Sequence, residues 1–149
     1  MEKVQVSINE LIPLIKEKLE SNGTVTLTIT GNSMNPFFFD KKTIVTLKKP
    51  NIKLKRKDIV LYQCPNGVWA LHRILRVKEN YYVICGDALR ILEYIPKNKV
   101  VAMVVSYRNN NKEIKVDNFL YNLKVNIWLL IRPFRKYLIY IIRRIRRKN

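Results

Sequence analysis

A chain of 149 residues, 48% of them hydrophobic, can bury one real core, which excludes a disordered tail and leaves little room for two full domains. Its 29 Lys plus Arg against 11 Asp plus Glu give a net charge of +18, which favours anionic partners without choosing between nucleic acid and acidic lipid. Residues 120–149 hold nine of those cations and no acid, half of the net charge.

Ser7-x-x-Glu10 reads as a capping box that opens a short helix. Leu11, Ile12, Leu14, Ile15 and Leu19 supply its apolar side, Gly23 closes it, and Pro13 predicts a kink or a late start. Residues 1–22 alternate charged with apolar residues and hold no long apolar run, so no secretory signal is expected. The period then changes. Thr24 to Thr30 is a strict two-residue alternation, Thr-Val-Thr-Leu-Thr-Ile-Thr, which predicts a half-buried strand. Further strands are expected at Thr43–Leu47, Asp58–Gln63, Val68–Val77, Tyr81–Cys85 and Val100–Tyr107. Pro65-Asn66-Gly67 and Glu79-Asn80 supply hairpin turns between them. Only 4 Gly, with 8 Tyr and 5 Phe, fits the same fold class: mainly β, compact and antiparallel.

From Tyr121 the two-residue period ends. Pro133 suits the first turn of a helix running to about Arg147. Arg132, Arg135, Lys136, Arg143, Arg146 and Arg147 fall within about 120° of one another at helical spacing, opposite Leu130, Phe134, Tyr137, Leu138, Ile141 and Ile145. A cationic amphipathic helix is therefore expected. The division is a β domain with its N-terminal helix over residues 1–118 and a basic helical tail over 119–149. No apolar stretch approaches the roughly 20 residues a membrane span needs. The expected partner of residues 123–148 is an anionic membrane surface, with Trp128 and Tyr137 at headgroup level. Nucleic acid is disfavoured, because it has no use for so many aliphatics opposite the arginines. The basic carboxyl end favours the cytoplasmic side.

Ser33 falls at a strand exit, in Gly31-Asn32-Ser33-Met34-Asn35-Pro36, and the only histidine, His72, lies 39 residues on. A hydroxyl nucleophile needs a base that is neutral yet proton-hungry near pH 7, and histidine meets that need. Taken singly, a serine in a turn and a histidine on a strand are ordinary. Cys64 and Cys85 fall in expected strands as reduced thiols, and without a Cys/His cluster neither metal nor cofactor is expected. Asp40 and Asp58 read as turn anchors, Trp69 and Tyr62 as packing residues. Glu93 reads as an ion-pair partner for Arg73 or Arg90.

The Ser33 segment resembles the nucleophile box of the signal peptidase I superfamily, Gly-x-Ser-Met-x-Pro. Lys57-Asp58-Ile59-Val60 is similar to the family's Gly-Asp-Ile-Val strand, and Leu71-His72-Arg73-Ile74 resembles its base-bearing strand in the endoplasmic-reticulum and spore-former branch, where the base is histidine followed by Arg. Cys85-Gly86-Asp87-Ala88 resembles the Gly-Asp box. Four boxes in family order, across about Thr24 to Tyr107, are more specific than any one of them. The resemblance implies a signal-peptidase-like β fold and a serine endopeptidase that releases a signal or leader segment from a protein or peptide precursor. It further implies an extended substrate beside a sheet edge, with small side chains before the scissile bond. Ser33 would be the nucleophile and His72 the general base. Asp87 would accept a hydrogen bond from the other ring nitrogen. Met34 would pack beneath the nucleophile, Pro36 would stiffen the turn, Arg73 would support the site, and Asn32 stands nearest to a second oxyanion donor. The chain departs from the family at Lys57, at Ala88-Leu89 and at Gly31, where some relatives place a donor hydroxyl. It also has no amino-terminal apolar anchor. The alternative is a catalytically inactive binding module of the same fold, attached to anionic membrane or nucleic acid.

Overall fold

A computed structural model describes residues 8–146, without the side chains of Ile139, Ile142, Arg143, Ile145 and Arg146. Ser7 of the expected capping box and Arg147 of the expected cationic arc lie outside the described residues. The chain divides into two compact units at Val116/Asp117.

Helix α1 spans Ile8–Glu20 and buries Ile12, Ile15 and Leu19, one helical face at i, i+3 and i+7. Pro13 sits inside the helix rather than delaying its start. Burying three aliphatic side chains contributes about 1.5–3 kcal/mol each, more than the roughly 3 kcal/mol an interior proline costs. The helix packs against strand β1, Thr24–Thr28.

The expected strands are present as β1, β2 (Ile44–Lys48), β3 (Ile59–Gln63), β4 (Trp69–Val77), β5 (Tyr81–Cys85) and β7 (Val100–Asn109). Two short strands have no counterpart in the sequence reading: β6 (Glu93–Pro96) and β8 (Lys112–Lys115). All pairings are antiparallel, in one eight-stranded sheet of order β1-β2-β7-β3-β4-β5-β6, with β8 on β7. The unit is mainly antiparallel β, as expected. Both expected hairpin turns form, closed by Cys64 N–H to Val68 O at 2.8 Å and Lys78 N–H to Tyr81 O at 3.0 Å.

The core of this unit gathers Val60, Tyr62, Ile74, Tyr82, Ile84 and Ile95 around the β3-β4-β5-β6 half of the sheet. Register shifts interrupt β2–β7 at Thr46/Leu47, β3–β7 at Leu61/Tyr62 and β4–β5 between Ile74 and Arg76. Such bulges sharpen the right-handed twist of a sheet. The loop after β1 accordingly reaches β4, although β2, β7 and β3 stand between them in the hydrogen-bonded order.

The second unit holds two helices where one was expected. Helix α2 spans Phe119–Leu130, capped by the Asn118 side chain, which accepts from Tyr121 N–H at 3.2 Å. A short 3-10 turn, Arg132–Phe134, carries Pro133, and α3 follows over Arg135–Arg146. Proline is easily housed in the first turn of a helix and breaks the ladder before it. No helix among the described residues is long and apolar enough to cross a membrane.

Candidate active site

The loop that carries Ser33 runs from β1 to β2 as a series of tight turns. Phe37 and Phe38 N–H both reach Met34 O at 3.0 Å. Gly31 has φ +89°, and its N–H donates to Asp40 Oδ1 at 2.7 Å. A serine or threonine would be strained at that φ, which fits the absence of a donor hydroxyl at position 31. At the far end Thr43 Oγ accepts from Phe39 N–H at 2.8 Å and donates to Asn109 Oδ1, whose amide group donates to Phe37 O at 3.1 Å. Met34 is buried within the loop.

Ser33 Oγ lies 3.1 Å from His72 Nε2. Ser33 is partly exposed, whereas His72 is nearly buried on β4. The other ring nitrogen, Nδ1, is 2.9 Å from Glu93 Oε2 and 2.8 Å from Tyr62 Oη. The tyrosine hydroxyl also donates to the same Glu93 oxygen. An ionised carboxylate only accepts, so Nδ1 carries the proton and Nε2 turns its lone pair to the serine. The remaining Glu93 oxygen accepts from the Cys64 thiol at 3.6 Å.

These contacts revise three expectations. Asp87 does not orient His72. Its two oxygens accept from Arg73 Nε at 2.8 Å and Nη2 at 2.7 Å, and both side chains are buried. The physical reason is strand alternation: Arg73 follows His72 on β4, so the two point to opposite faces. Glu93 pairs with His72, not with Arg73 or Arg90. Tyr62 packs in the core as expected, but its hydroxyl also closes a three-way hydrogen-bonded ring with His72 and Glu93. Burial, and then the Glu93 carboxylate, push the Tyr62 phenol well above its ordinary value, so it stays a donor. Burial first, and then Glu93, push the Cys64 thiol up to about 11.

The Arg73–Asp87 pair braces the site from behind. Arg73 Nη1 donates to Lys57 O at 2.9 Å, and its guanidinium lies 5.1 Å from the centre of the Phe37 ring in the Ser33 loop. Ala88 N–H holds the Ser33 carbonyl at 2.9 Å. A Cβ on Gly86 would meet that carbonyl at 2.6 Å, so glycine is what allows the two segments to approach. Among the described residues the Ser33 N–H has no protein acceptor, which leaves it available to an oxyanion. Asn32 is exposed, and its side-chain oxygen accepts from Asn35 Nδ2 at 3.3 Å. Asp40 and Asp58 do anchor turns, the latter accepting from Lys55 N–H at 2.8 Å. Neither Cys64 nor Cys85 forms a disulfide among the described residues. Among the described residues no group of His, Cys, Asp or Glu is arranged to hold a metal ion.

Glu93 was missed in the sequence because the Gly86-Asp87 box drew the acid assignment six residues too early. Its position at the head of β6, opposite Ile84 of β5, was the missing information. Comparison of the chain with protein-family models and with curated proteins finds no match.

Proposed function

We propose that this chain is a serine endopeptidase acting by a Ser33–His72–Glu93 relay, of the signal peptidase I type that its four sequence boxes resemble. The observation that carries the reading is the hydroxyl–imidazole–carboxylate line: Oγ to Nε2 at 3.1 Å and Nδ1 to the carboxylate at 2.9 Å. Ser33 Oγ attacks a peptide carbonyl as His72 Nε2 takes its proton. Glu93 stabilises the imidazolium that forms, and Tyr62 fixes the carboxylate. The Ser33 N–H donates to the oxyanion. The imidazolium then returns its proton to the leaving amine, and water releases the acyl group by the same base.

Strand β1 supports the binding half of the reading. It is an edge strand that runs straight into the nucleophile loop, and an extended precursor segment pairs there through main-chain hydrogen bonds. The test is incubation of the purified chain with a library of leader-type peptides, with cleavage sites mapped by mass spectrometry. Turnover is expected for the native chain and absent from Ser33→Ala and His72→Ala. Equal turnover by either variant overturns the relay.

A further inference from the structure

Helix α2 carries an apolar face that its own unit leaves uncovered among the described residues. Phe119, Leu120, Leu123, Ile127 and Leu130 are 45–79% exposed. At helical spacing they share an arc of about 100°. Tyr121 and Val125, on the opposite side, are buried. Single exposed aliphatics need no explanation, but five large ones in a continuous stripe do. Beyond the next turn Phe134, Tyr137, Tyr140 and Ile141 are exposed as well. The same segment is cationic: Lys124, Lys136 and Arg144 are exposed, and residues 118–149 hold nine Lys or Arg and no acid.

We propose that the unit from Asp117 onward seats on an anionic lipid surface, with the α2 stripe in the acyl boundary and the surrounding cations on the headgroups. This inference stands independently of the peptidase reading. Charge selects the occupant. A second copy of this chain would set one +18 molecule against another. Nucleic acid would answer the cations and leave the stripe in water. An acidic bilayer interface answers both at once. At 12 residues α2 is about 18 Å long, well short of the ~30 Å hydrocarbon core, so it lies in the plane of the interface.

The stripe overlaps residues 123–148, the segment expected from the sequence to meet lipid, and adds Phe119 and Leu120 before it. That expectation put Arg135 on the cationic arc. Arg135 is instead buried, its guanidinium 5.3 Å from the centre of the Trp128 ring.

The test is co-sedimentation of the full chain with vesicles of phosphatidylcholine alone and with about 30% phosphatidylglycerol. Retention by the acidic vesicles only, weakened as salt rises from about 0.1 to 0.5 M, is expected. Leu123→Asp with Ile127→Asp should weaken it more than about a hundredfold, and Lys124→Ala and Lys136→Ala about fivefold each. Both aspartates replace exposed residues, and an unchanged far-UV circular dichroism spectrum verifies the fold. No retention on acidic vesicles overturns the proposal, as does equal retention on both kinds. Undiminished binding of the double aspartate variant removes α2 from the surface. A concentration-dependent dimer that the same variant dissociates, without vesicle binding, assigns the stripe to a second copy instead.

Discussion

Glu93 Oε2 stands 2.9 Å from His72 Nδ1, on the opposite side of the imidazole from Ser33. Asp87, the acid nearest the histidine strand by motif, is held by Arg73 instead. Two acids six residues apart thus take different partners, one on the imidazole and one on the buried guanidinium, and substitution separates them.

Glu93→Gln keeps the size of the side chain and removes the charge that stabilises an imidazolium. A fall in kcat of about a thousand- to ten-thousandfold is expected, with little change in melting temperature. Asp87→Asn should do the reverse. It leaves the Arg73 guanidinium buried against a neutral partner, which costs about 3–5 kcal/mol of stability. Thermal melts and peptide cleavage on both variants check the assignment. A folded, inactive Asp87→Asn beside an active Glu93→Gln would invert it.

Tyr62→Phe removes one hydroxyl from the ring formed with His72 and Glu93. The loss of that bond should lower stability by about 1 kcal/mol. The carboxylate loses its donor, so kcat should drop while KM holds, about fivefold if the missing bond is worth that same ~1 kcal/mol in the transition state. Because burial keeps the phenol protonated, the alkaline limb of the rate–pH profile should be the same in the native chain and the variant. Steady-state kinetics across pH measure both.

Gly86→Ala places a methyl group 2.6 Å from the Ser33 carbonyl. Either the Ser33 loop or the turn after β5 must shift. A destabilisation of about 1–3 kcal/mol is expected, together with a loss of activity larger than the loss of folded protein explains. Denaturant titration alongside active-site assays distinguishes the two effects.

Cys64 reports on the Glu93 charge. Burial first, and then Glu93, make its thiol hold its proton up to about 11, above the ordinary thiol value near 9. That leaves roughly a hundredfold less thiolate near pH 8 than an ordinary cysteine has. Alkylation of Cys64 by iodoacetamide should be slower than that of an ordinary cysteine by about the same factor, and faster in Glu93→Gln. The linkage has one sign. The folded form binds this proton more tightly than the unfolded chain, so the contribution is intact below about pH 9 and lost as pH rises through about 11. Peptide mapping of alkylation rates, which separates Cys64 from the buried Cys85, gives the result.

What the sequence showed and what it hid follow from how each feature is encoded. Thr24 to Thr30 announces its strand because alternation is a local property. Ser33 and His72 are paired through boxes that surround them, and their Oγ and Nε2 lie 3.1 Å apart. The partner of the second ring nitrogen was not local. It depends on which acid β6 brings across β5, and a four-residue strand ending in Pro96 has no pattern to read. Helix α2 was hidden for a different reason. Its sequence, Phe-Leu-Tyr-Asn-Leu-Lys-Val-Asn-Ile-Trp-Leu-Leu, is apolar on nearly every side, so no period stands out. Asn118, a strong N-cap residue directly before it, was the available signal.

The stretch from Gly86 to Glu93 ties two jobs to one length of chain. Its start grips the main chain of Ser33 through Ala88, and its end delivers the carboxylate behind His72. Ile91 between them is exposed, and the segment there forms no helix or strand, the kind of place where loops ordinarily lengthen freely. Here the spacing works as a ruler. One residue added between Asp87 and Glu93 would advance β6 by one step and turn the acid to the other face of the sheet. Loop grafting or tag insertion in this enzyme candidate therefore belongs at the Asn110-Asn111 turn, which couples no two parts of the site.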